Sequence, residues 1–233
     1  MADQLIRIDR RFRGPPDSGN GGYVAGLLAR ALGGSGVEVT LRAPPPLDRE
    51  LRVVVDGDGA ELLAGDVLIA AARRMPVDLI VPPPPSLDDA RDAERRYAGF
   101  DSHPFPGCFV CGPERAVGDG LRIFPGVMAE GDRVTGAWTP DVSLTDGEDG
   151  IGIEHVWAAL DCPVYFAVRE RAGVAVLGRI AVEVARGIHA GEAMVVTGWG
   201  IESEGRKHRV GTALHDADGN LCAKAVATWV TLG

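Results

Sequence analysis

The sequence predicts an α+β protein in which two units each wrap an antiparallel sheet around one central helix. Three observations carry this. The order strand, helix, then several strands runs twice along the 233 residues, which is not the alternation of a parallel doubly wound sheet. Each half holds one strongly apolar helix. Between the halves lies a stretch of four consecutive prolines followed by a dense run of charge. The units are expected over residues 1–81 and 104–233, with the linker over 82–103.

In the first unit, residues 5–13 alternate as a strand does. Residues 22–33 follow as a helix, because Val24, Leu27, Leu28 and Ala31 recur at i, i+3, i+4 and i+7. Gly33 and Gly34 end it in the usual C-terminal manner. Strands are expected over 37–41, 51–55, 61–64 and 67–72, with Asp56-Gly57-Asp58-Gly59 as a hairpin turn. In the linker, Pro82 to Pro85 favour an extended chain. Ser86 is suited to cap a short, exposed connecting helix. The second unit opens with strands over 121–124 and 134–138, joined across Gly131-Asp132. A helix over 154–168 comes next, then strands over 174–184, 193–201, 208–214 and 221–230. The last two are joined by a turn over 215–220.

Composition narrows the function classes. Apolar residues make up 45% of the chain, and no run is long enough to span a bilayer. The first residues lack the pattern of a signal or transit peptide, so a cytoplasmic location is expected. A net charge of −9 without a basic stripe argues against nucleic acid as a partner. Membrane partners are not expected either, and dimerisation through sheet edges stays open. Of four cysteines, Cys162 and Cys222 lie in apolar runs and read as small core hydrophobes. His103, Cys108 and Cys111 offer three ligands of the zinc type. A closed site needs a fourth, and no second Cys-x-x-Cys exists, so no metal is expected.

Two stretches carry the candidate chemistry. One is the apolar helical run over 152–163, which places Asp161 deep in the helix and Glu154-His155 at its mouth. A carboxylate in apolar surroundings is costly unless paired or used. Pro163 cannot donate a helical hydrogen bond, so a kink beside Asp161 is expected. The other stretch is Asn20-Gly21-Gly22 at the start of the first helix, where bare backbone amides suit a developing oxyanion. The same glycines also fit a plain capped turn, with Asp17, Ser18 or Asn20 as the cap. Asp161 has structural alternatives too, an ion pair with a neighbouring arginine such as Arg179 or backbone hydrogen bonds accepted at the kink. Glu154 could simply complement its helix dipole, with His155 at a surface.

At these residues the chain resembles the hotdog superfamily in its tandem form. Cys108-Phe109-Val110-Cys111-Gly112-Pro113 followed by Gly120-Leu121-Arg122-Ile123 is similar to the opening of several hotdog thioesterase-like units. Asn20 to Ala25 with Arg30-Ala31-Leu32, and then Arg42-Ala43-Pro44-Pro45-Pro46-Leu47, resembles the N-terminal unit of acyl-CoA thioesterase II. The resemblance implies two hotdog units packed as an intramolecular pseudo-dimer. It implies acyl-CoA or a related thioester as substrate, hydrolysed without a cofactor, with Asp161 at the position of the catalytic aspartate. Where single-unit relatives carry His-Gly-Gly seven residues before the aspartate, the second helix has Gly152, Ile153 and Glu154. The first helix has Asn20-Gly21-Gly22 there, but Ala29 in place of the acid. One composite site is therefore expected, with Asp161 as base or nucleophile and the Asn20, Gly21 and Gly22 region as oxyanion and substrate contact. Glu154, His155 and Thr228 are auxiliary candidates. Arg206 and Lys207, in the densest basic cluster, are candidates for coenzyme A phosphates. The acyl chain is expected between the two helices, against Val24, Leu28 and Trp157. The alternatives are a non-catalytic acyl-CoA or small-ligand binding protein and a purely structural partner on the same fold.

Overall fold

The computed structural model describes residues 2–129, 131, 133–147 and 149–233. The elements run β1 (Ala2–Arg7), α1 (Gly21–Leu32), β2 (Gly36–Leu41), β3 (Glu50–Asp56), β4 (Gly59–Ala64) and β5 (Val67–Arg74). After α2 (Leu87–Glu94) come β6 (Gly126–Val127), β7 (Arg133–Trp138) and α3 (Ile153–Ala172). The chain ends with β8 (Ala175–Val184), β9 (Met194–Glu204), β10 (Lys207–Asp216) and β11 (Leu221–Thr231). All strands join one antiparallel sheet in the order β1-β3-β4-β5-β2-β8-β11-β10-β9-β7-β6. The seam between the halves is the β2–β8 pair, in which Val37 faces Val182 and Val39 faces Ile180. Two sheets that would each end on a bare edge close it on one another, removing the template for unwanted strand pairing.

Each half lays its helix on the sheet, and the helices pack against each other. Their contact is unusually close. A Cβ added at Gly22 would sit 2.5 Å from Asp161 Cβ and 2.8 Å from the Trp157 carbonyl oxygen, and one at Gly26 would collide with Glu154 Cα. Gly22 meets residues late in this part of α3 and Gly26 meets Glu154, so the helices run antiparallel. Only glycine permits that approach. α3 is apolar on nearly every side, with 15 of its 20 residues buried, as befits a helix covered by both sheet and helix.

Several expected elements differ in detail. The first strand stops at Arg7, and residues 10–12 form a 3-10 turn, with Asp9 accepting from the Arg11 amide. Residues 121–124 are not a strand; the short partner of β7 is β6. Of the Gly131-Asp132 turn, Asp132 lies outside the described residues. α2 is capped by Ser86, whose side chain and that of Asp89 form a reciprocal capping box. It is not merely exposed, because Ala90 and Ala93 are buried. α3 continues through Pro163 to Ala172. Among the described residues, no helix is long and apolar enough to cross a membrane.

Candidate active site

Asp161 lies on the face of α3 that meets the N-terminus of α1. Its Oδ2 accepts from the Gly22 amide at 2.9 Å and from Asn20 Nδ2 at 3.2 Å. Asn20 also caps α1, its Oδ1 accepting from the Tyr23 amide at 2.9 Å. One side chain therefore starts the helix and aims the acid. Of the three capping candidates, Asn20 is the one that caps. Asp161 is 1% exposed and has no ion pair among the described residues; its Oδ1 has no hydrogen-bond partner there either. Arg179 instead donates to Thr40 Oγ1 at 3.0 Å. Burial pushes the Asp161 carboxyl up to about 7, against the lowering pull of the Gly22 amide and Asn20.

A cavity of about 480 Å³ opens beside this acid, within the size range of small-molecule sites. Asn20, Gly21, Cys108, Asp161 and Cys162 form its polar end. Leu41, Pro44, Pro45, Leu177, Trp229 and Leu232 form most of its apolar wall, and Arg42 stands at its edge. The Gly21 amide has no partner among the described hydrogen bonds, so it is a free donor on the cavity wall. The Trp229 indole Nε1 likewise finds no acceptor there.

Two features of the site differ from the sequence reading. What presses on Gly22 is α3, and its amide is already bound to Asp161; the unclaimed donor is Gly21. Val24, Leu28 and Trp157 are core residues, at most 1% exposed, and do not border the cavity. The close helix crossing leaves no room between the helices, so the open space lies outside it, against the ends of β8 and β11. A sequence reading could have found this from Gly22 and Gly26, whose i, i+4 spacing marks a contact stripe rather than a ligand gap.

The other sequence candidates are distributed around this centre. Glu154 and His155 lie two turns from Asp161 along α3. Glu154 accepts from Arg30 Nη1 at 2.8 Å. His155 is 7% exposed and packs among Phe12, Tyr23 and Phe109, with ring centroids 5.6–5.9 Å away. It is buried, not at a surface. Desolvation, with Arg11 and Arg30 nearby, lowers it to about 4 despite Asp146. Thr228 is half-buried in β11 and does not border the cavity. A register shift against β8 between Thr228 and Trp229 lets the next two residues, Trp229 and Val230, line it instead. Arg206 lies in the β9–β10 turn and Lys207 opens β10 beside it, both exposed. Arg206 Nε donates to the Thr231 carbonyl at 3.0 Å, one residue from cavity-lining Leu232.

Three thiols sit against the polar end. Cys108 and Cys162 sulfurs are 3.6 Å apart, and the Cys111 sulfur lies within 4.8 Å of both. Sequence patterning assigned Cys162 to the core, where it lies, and it also borders the cavity. Thiol hydrogen bonds from Cys111 and Cys162 hold the Cys108 thiol down, and burial raises that of Cys111.

No family model matches the chain, and no curated protein matches it. Solved structures do. A putative thioesterase II from Thermobifida fusca aligns at a TM-score of 0.64 and 13% identity, over 100% of this chain and 93% of its own. The tesB protein of Mycobacterium avium subsp. paratuberculosis aligns at 0.63 and 12%, over 99% and 93%. A hot dog fold protein of unknown function from Alicyclobacillus acidocaldarius aligns at 0.62 and 10%, over 99% and 93%. Likeness at such low identity and nearly full length speaks to architecture. The chain has the tandem hotdog fold of the thioesterase II-type structures.

Proposed function

We propose that the protein hydrolyses acyl thioesters of the acyl-CoA type, with Asp161 as the general base in a site shared by the two halves. The observation that carries this is geometric: a buried carboxylate with one oxygen fixed by Gly22 and Asn20, the other without a partner among the described residues, on the wall of a largely apolar cavity. A carboxylate placed only for stability is ordinarily paired with a cation. In the proposed step, Asp161 takes a proton from water as the water oxygen attacks the thioester carbonyl carbon. The Gly21 amide donates to the oxygen that becomes negative. The tetrahedral species then collapses, the carbon–sulfur bond breaks, and the leaving thiolate takes the proton back from Asp161. The products are a carboxylic acid and a free thiol. The apolar wall of Leu41, Leu177 and Trp229 would receive the acyl chain. Arg42 and, further out, Arg206 and Lys207 would meet the phosphates of coenzyme A.

A second reading, a non-catalytic acyl-CoA-binding protein, is favoured by one observation: Asp161 already occupies the Gly22 amide, leaving one main-chain donor rather than two. A panel of acyl-CoA chain lengths, with free coenzyme A quantified by chromatography, separates the two. Hydrolysis above the uncatalysed rate is expected. A melting temperature raised by acyl-CoA without turnover would instead establish the binding reading.

A further inference from the structure

We propose that Cys108, Cys111 and Cys162 form a zinc site, three thiolates from the opening turn of the second half and from α3 closing on one ion. This goes beyond the hydrolase reading and does not depend on it. The sequence supplies two of the ligands as a Cys-x-x-Cys pair, and the fold brings the third from α3, 51 residues further on. Two thiolates on one tetrahedral zinc, each about 2.3 Å from the metal, stand about 3.8 Å apart. The Cys108–Cys162 separation is 3.6 Å, and all three sulfurs lie within 4.8 Å of one another. All three are buried free thiols.

The surroundings are those of a site that holds negative sulfur. Asn20 Nδ2 lies 4.0 Å from the Cys108 sulfur and 3.7 Å from that of Cys162. His103 Nε2 lies 3.3 Å from the Cys111 sulfur. His103 Nδ1 accepts from the Phe105 amide at 2.9 Å, so in the neutral ring the proton is on Nε2. His103 is thus a donor to the Cys111 thiolate and a supporting residue rather than a fourth ligand. Gly112 is needed for the knuckle itself. Its amide donates to the Cys108 carbonyl at 3.0 Å, and a Cβ there would meet the Cys108 backbone at 2.5 Å. Cys108 and Cys162 border the cavity while Cys111 does not. The fourth coordination position therefore falls on the cavity side and is left to a small exogenous ligand. Each thiol gives its proton to solvent as the ion binds.

Metal analysis of the purified wild-type protein from zinc-supplemented cells should give one zinc per chain. Reduced, metal-free protein titrated with cobalt(II) should develop sulfur-to-cobalt charge transfer and the visible bands of a four-coordinate ion. Cys222→Ser should leave both unchanged, since Cys222 stands apart from the cluster. His103→Ala should keep the stoichiometry but weaken zinc binding by about 10- to 100-fold. A wild-type protein that carries no zinc and gives no cobalt spectrum would overturn the proposal, as would isolation of a Cys108–Cys162 disulfide in its place. So would a Cys108→Ser/Cys111→Ser protein that still binds one cobalt with full charge-transfer intensity. Because the deciding readouts use wild type, Cys222→Ser and His103→Ala, misfolding of a ligand variant leaves the test intact. Failure of metal binding with hydrolysis intact would strike this inference alone.

Discussion

The two ends of the α1–α3 crossing use the same parts to opposite effect. At each end a glycine of α1 meets a buried carboxylate of α3: Gly22 with Asp161, and Gly26 with Glu154. Glu154 is paired with Arg30 at 2.8 Å and shielded by an aromatic cluster that includes buried His155. Among the described residues, Asp161 has only neutral donors, Gly22 and Asn20, and a cavity lies alongside. Two acids on one helix face, seven residues apart, therefore differ in one respect that matters. Each leaves one buried oxygen without a partner among the described residues, but one is neutralised by a cation for packing and the other is held by neutral donors beside open space. Burial of a carboxylate does not mark a reactive group; burial without a cation, next to open space, does.

That contrast can be attacked first through the glycines. Gly22→Val puts a branched side chain into Asp161 and the α3 backbone. Overpacking of this kind should cost about 3 kcal/mol or more, a melting temperature lower by roughly 6–12 °C in a chain of this size. Whatever folds should have lost hydrolysis as well. Gly26→Ala should cost less, about 2 kcal/mol, since its clash is partly offset by better helix propensity. Its surviving folded fraction should keep the wild-type turnover, because nothing at the Asp161 end has moved. Equal loss of turnover in the two variants would erase the distinction between the ends.

The sealed end also has a pH signature. His155 is lowered to about 4 when folded and returns to roughly 6.5 when unfolded. Between those values the unfolded chain binds the extra proton, so stability is full above pH 6.5 and falls as pH drops toward 4. The loss from this one group is on the order of 2–3 kcal/mol. Denaturant melts of wild type and His155→Phe across pH 4–7 check it: the phenylalanine variant should lose less stability over that range. Parallel curves would remove His155 from the account of acid sensitivity. The smallest effect is expected at the rim. Arg206→Ala should raise KM for an acyl-CoA by about two- to fivefold with kcat unchanged, the size of one exposed phosphate contact, and 0.5 M salt should largely abolish the difference.

The two-unit α+β architecture was legible because its signals are local: helix periodicity over 22–33, hairpin turns at 56–59 and 215–220, and the apolar run around Asp161. The juxtaposition of Asp161 with the Asn20-Gly21-Gly22 segment was also expected, through resemblance. What was hidden depends on contacts distant in sequence. Gly22 reads as a place for substrate until the fold shows α3 filling it. Cys162 is the core residue its apolar neighbours indicate, but only the packing of α3 on the Cys108–Gly112 turn brings it to the other thiols. Thr228 was singled out where the strand bulge makes Trp229 and Val230 the lining residues. Bulges leave no periodic trace strong enough to place by pattern alone.

The most direct test of the central claim compares Asp161→Asn with Glu154→Gln. Both are near-isosteric replacements of buried acids on one helix, assayed for release of coenzyme A from the best acyl-CoA of the panel. Asp161→Asn should remain folded, since the amide oxygen can still accept from Gly22 and Asn20, and its kcat should fall by about 10²- to 10⁴-fold. Glu154→Gln should stay within about twofold of wild type, at a cost in stability of about 1 kcal/mol. Turnover that survives Asp161→Asn at the wild-type rate would contradict the proposed role of this carboxylate.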